Sequence, residues 1–107
     1  MQHSETKVQK PIEQRIYEGD RAKEVLENEA FQSAFDAIEK EVIDKWTESP
    51  ARDAEGREKL WQYLMLLRKV RTHLQSTLET GKLAKLDLQH KQNLLDRMKD
   101  GVSSLIE

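Results

Sequence analysis

The sequence predicts an all-α protein organised as a long antiparallel helical hairpin, and three observations carry that expectation. Helix formers such as Glu, Lys, Leu, Gln and Ala dominate 107 residues that hold only 4 Gly and 2 Pro. Apolar residues recur at steps of three and four through two long stretches. Ser49-Pro50 falls between those stretches, and so short a connection makes them antiparallel neighbours. The arms are expected at about 29–47 and 53–80, with a shorter helix before them and a third helix after them.

The first residues, MQHSETKVQK, are polar and read as a mobile arm covering 1–19. Within it, Pro11 suits a first helical position, Ile12 and Ile16 share a face, and Gly19 is a natural stop. A short helix over 11–18 follows, or else a segment that orders only against a partner. Residues 20–107 then form a single helical domain, with Asp20 as its candidate N-cap.

Ala22, Val25 and Leu26 make a small apolar face. Phe31, Ala34, Phe35, Ile38, Val42 and Trp46 make a longer one. On one straight helix the two faces would lie roughly opposite each other. The helix either breaks at 27–29, where Asn28 is a good N-cap, or buries different sides at its two ends.

The first arm ends near Trp46. Beyond it, Ser49 caps a helix with Pro50 at its first position, or Asp53 caps one that starts a turn later. Gly56 in the opening turns marks a frayed start or the close approach of another backbone. Leu60, Tyr63, Leu64, Leu67, Val70, Leu74 and Leu78 form the core stripe of the second arm. Gly81 reads as its stop. Leu83, Leu88, Leu94, Leu95, Met98, Val102, Leu105 and Ile106 fit the third helix, with Lys91 interrupting the stripe.

Composition excludes several classes of function. The net charge of −2 gives no reason to expect whole-molecule affinity for DNA phosphates and leaves only a local patch open. With no cysteine there is no disulfide, thiolate metal site or cysteine nucleophile. His3, His73 and His90 lack any metal-ligand spacing. The N-terminus lacks the apolar core of a secretory signal, and no run approaches the ~20 apolar residues of a membrane span. The carboxylates, among them Glu39, Glu41, Asp44, Asp53, Glu55 and Glu58, alternate with Lys and Arg as on a solvated face. An enzyme is not expected, nor is any cofactor or metal.

Two groups of residues stand out. Trp61 and Met65 lie more than about 90° from the main stripe of their helix, and Leu66 lies off its other side. Either the third helix covers Trp61 and Met65, or all three meet another subunit or partner. The run RKVRTH places Arg68, Lys69 and Arg71 together as a candidate anion contact. No aromatics are interleaved with them for base stacking, so nucleic acid is not the favoured partner.

The segments VLENEAFQSAFDAIEKEVIDKW, ESPARDAEGREKLW and LLRKVRTHLQSTLETGKLAK together resemble small helical proteins of tailed phages and prophages, often found among head and packaging genes. The resemblance covers roughly Arg21 to Lys85. It implies a phage protein of unknown or virion-associated role, and no catalytic residues. Together with apolar surface in excess of what so small a chain can bury alone, the expectation is a structural or assembly protein, in the host cytoplasm or the virion, that partners itself or another phage protein. The alternative is a phage regulatory or inhibitory protein that binds a host protein or nucleic acid through charged surfaces.

Overall fold

The computed structural model describes residues 9–106 and is all-α: α1 (Ile12–Glu27), α2 (Glu29–Glu48) and α3 (Ala54–Ile106). The outer residues of the predicted arm, 1–8, lie outside the described residues. At ~1.5 Å per residue, 53 helical residues reach about 80 Å, which accounts for the 83 Å long axis of the molecule. α1 and α2 lie antiparallel along the first two thirds of α3. The remainder of α3 projects alone, and every described side chain from Gln89 onward is exposed. The molecule is only 17 Å thick, a single layer of helices.

The helical hairpin is present, but α3 does not stop at Gly81. The expected boundary at 80 and the separate third helix are replaced by one continuous helix. No glycine has the positive φ that a left-handed C-terminal cap requires. Gly81 is instead buried against Gly19 of α1. A Cβ on Gly81 would lie 2.8 Å from the Gly19 Cα and 3.0 Å from the Arg15 carbonyl oxygen. The two backbones therefore touch, and only glycine permits that approach. Ala22 and Ala84, one turn along each helix, are buried beside them.

The same contact explains why α1 is longer than the expected 11–18. Gly19 sits within the helix, and reading through it joins Ile12, Ile16, Gly19, Ala22 and Leu26 into one stripe, all buried or half-buried. Pro11 is at the cap position and its carbonyl accepts from the Arg15 N–H at 3.0 Å. Asp20 caps nothing. It lies in the middle of α1, where Lys85 donates to it at 2.7 Å.

Between α1 and α2 a single residue leaves the helix. Asn28 has extended backbone, and its Oδ1 accepts from the Phe31 N–H at 2.9 Å. The Gln32 side chain donates to the Leu26 carbonyl at 2.7 Å, satisfying one acceptor freed at the end of α1. The break lies within the expected 27–29. It lets two stripes that would face opposite ways on a straight helix both face α3.

At the hairpin turn, Asp53 is the N-cap of α3 and accepts from the Gly56 N–H at 3.1 Å. A Cβ on Gly56 would meet this carboxylate, so the close neighbour there is the cap itself and not another backbone. Arg57 reaches back across the turn. Its guanidinium donates to the Trp46 and Ser49 carbonyls at 3.0 Å each and to Ser49 Oγ at 2.8 Å. These carbonyls belong to the negative end of α2, where a cation is favoured.

Candidate protein interface

The hairpin packs through few side chains. Phe35 is buried, with the Arg71 guanidinium 3.9 Å over its ring and Phe31 stacked at a tilt 5.8 Å away. Arg71 also pairs with Asp36 at 3.3 Å, and Arg68 pairs with Glu39 at 3.1 Å. Two of the three cations read as an anion contact thus hold α2 in register on α3. Lys69 is exposed and forms no ion pair among the described residues.

Trp61, Met65 and Leu66 do not form one surface. No third helix packs back over Trp61, because the chain beyond Gly81 continues away from it. Trp61 is 50% exposed and lines a groove of about 360 Å³ with Val42, Ile43, Trp46, Leu60, Leu64 and Arg68. Trp46 shares this groove. It is itself partly open, and the Arg57 guanidinium covers it 4.1 Å from the ring centroid. The two tryptophans, far apart in the helical pattern, are brought to one site by the turn. Met65 is half-buried.

Leu66 lies on another side of α3 and is 63% exposed. Tyr63 and Val70, expected in the hairpin core, are exposed with it, Tyr63 at 59%. Successive residues turn by about 100°, which puts these three within roughly 60° of one another. The apolar face of α3 is broader than α2 can cover. The spacing of Tyr63, Leu66 and Val70 in the sequence was the available sign of this second strip.

A third open surface is the projecting end of α3. Leu94, Leu95, Met98, Val102 and Leu105 are all exposed, Leu105 at 87%. Sequence periodicity identified these residues as apolar and helical, but not that α3 carries them beyond the reach of α1 and α2.

Three surface groups are shifted by the partners they bond. Hydrogen bonds from Lys10, then Gln14, hold Glu18 below the usual carboxylate range. The hydrogen bond from Lys85 lowers Asp20, and the one to Asp44 raises Lys40. His73 is exposed beside a shallow cleft lined by Lys10, Glu18 and Thr77. Among the described residues no group of His, Asp or Glu could hold a metal ion, and no helix is long and apolar enough to cross a membrane.

Comparison with protein-family models, characterised proteins and solved structures returned no match. The geometry offers apolar helical surfaces bordered by charged side chains, a chemistry of association.

Proposed function

We propose that this chain is a non-enzymatic assembly protein of a tailed phage or prophage, which oligomerises or docks on a larger phage complex through its helical surfaces. One observation carries the reading. Among the described hydrophobic residues only Ala22, Phe35 and Ala84 are buried, while large apolar side chains stay open along the whole of α3. Burial of apolar area is what stabilises a fold, and contiguous exposed apolar surface marks interaction sites. The phage setting rests on the resemblance over residues 21–85, and the partner is itself or another phage protein. The protein would act in the host cytoplasm or the virion. Binding of nucleic acid through Arg68 and Arg71 would have to open the pairs with Glu39 and Asp36 that align the hairpin.

The test is sedimentation of the full chain with particles of the phage or prophage that encodes it. The chain is expected to travel with the particles, and its tryptophans, both partly open here, to become shielded from acrylamide on binding. Trp61→Ala and Leu66→Glu should reduce co-sedimentation while helix content is kept. A compact monomer that ignores the particles, with both tryptophans already shielded, would overturn the reading.

A further inference from the structure

The projecting end of α3 continues a seven-residue repeat. Gly81 and Ala84, which α1 covers, are followed at steps of four and three by Leu88, Lys91, Leu95, Met98, Val102 and Leu105. This is the a/d spacing of a coiled-coil seam. The seam is closed within the chain as far as α1 reaches and open over the ~27 Å beyond it. From the assembly reading, on which this rests, we infer that the open seam is the contact with a second copy of the chain, the two ends pairing antiparallel.

The seam is self-complementary: Leu95, Met98, Val102 and Leu105 are apolar and 55–87% exposed, so the same seam of a second copy can cover them and be covered in turn. The direction follows from Lys91 and from the bulk of the body. Parallel pairing would set the two Lys91 side chains against each other in one layer of the seam. It would also crowd both α1 helices together at Leu88. Antiparallel pairing places the bodies at opposite ends of the coil. Leu88 then faces Leu105 of the second copy, Leu95 faces Met98, and the stem of Lys91 lies along Val102 with its ammonium in water. Each contact occurs twice, as two-fold symmetry requires.

Sedimentation equilibrium of the full chain should give twice the mass of 12.5 kDa. Met98→Glu should return the mass to that of one chain, with α1 and α2 unchanged by amide exchange. Lys91→Leu should tighten association about tenfold or more. The absence of cysteine makes cross-linking clean. Mild oxidation should join two copies of the double variant L88C/L105C covalently, and neither L88C nor L105C alone. A monomer at high concentration, a dimer insensitive to Met98→Glu, weaker association of Lys91→Leu, or cross-linking of either single variant would each overturn the pairing. A monomer that still co-sediments with particles would remove the pairing and leave the assembly reading standing.

Discussion

Replacing Gly81 with alanine sets helix propensity against packing, and the structure says which prevails. In an exposed helix interior the change would stabilise by about 1 kcal/mol. Here the new Cβ would sit 2.8 Å from the Gly19 Cα and 3.0 Å from the Arg15 oxygen, with backbone on both sides and no flexible side chain to move away. Ordinary carbon contacts lie at about 3.5–4.0 Å, so α1 must lift by most of an ångström along its seat. Overpacking of this kind typically costs about 1–3 kcal/mol. Gly101 is the internal control, because it lies in the same helix with nothing within 4 Å of its added Cβ. Gly101→Ala should therefore gain close to the full propensity term, and Gly81→Ala should fall below it by about 1–3 kcal/mol in urea unfolding followed by circular dichroism. Amide exchange should show the loss within α1, with the α2–α3 hairpin intact. If Gly81→Ala proved as stable as Gly101→Ala, the backbone contact would be wrong.

Two further outcomes follow from the same geometry. Arg57→Ala removes the donor to the Trp46 and Ser49 carbonyls and the cover over Trp46, so it should cost about 1–2 kcal/mol and raise amide exchange at the turn. Arg57→Lys should not restore it, since an ammonium lacks the planar fork. The Asp20–Lys85 pair depresses the Asp20 pKa below the ordinary value of 3.8. Its contribution is complete above that pH and is lost as pH falls through the lower, folded-state value. Asp20→Asn should therefore lower neutral stability only slightly, as expected for an exposed pair, and flatten the acid limb below about pH 4 by that same small amount. A variant that lost α1 docking at neutral pH would assign Asp20 a larger part.

How far the sequence reveals this fold depends on what each residue's neighbours decide. The helices around Phe31–Trp46 and Leu60–Leu78 are legible because their apolar spacing is long and regular, and the Asn28 break because two stripes conflict there. Gly19 and Gly81 mislead for one shared reason. A glycine after an apolar stripe resembles a stop, and only the partner helix shows that it is a seat for another backbone. Both glycines have alanine three residues on, a repeated spacing that would have hinted at a matched pair. For the candidate interface, Trp61 and Leu66 were recognisable as off the stripe. Tyr63 and Val70 were not, because periodicity reports how wide an apolar face is and not how much of it a neighbour covers. The cations at 68 and 71 looked free in the sequence, since their carboxylate partners lie 29 and 35 residues away.

The interhelical contacts are nested like the teeth of a zip, so their loop-closure costs rise from the turn outward. Arg57 closes on Trp46 across 11 residues, then Arg68 on Glu39 across 29, Arg71 on Asp36 across 35, and Lys85 on Asp20 across 65. Made from an open chain, the last contact would cost about 1.5 kcal/mol more loop entropy than the first. Made after the others, it closes only the stretches from Asp20 to Asp36 and from Arg71 to Lys85. On loop entropy alone the hairpin turn is the cheapest contact to close, whereas the backbone seat of Gly19 on Gly81 is what keeps α1 docked once it arrives.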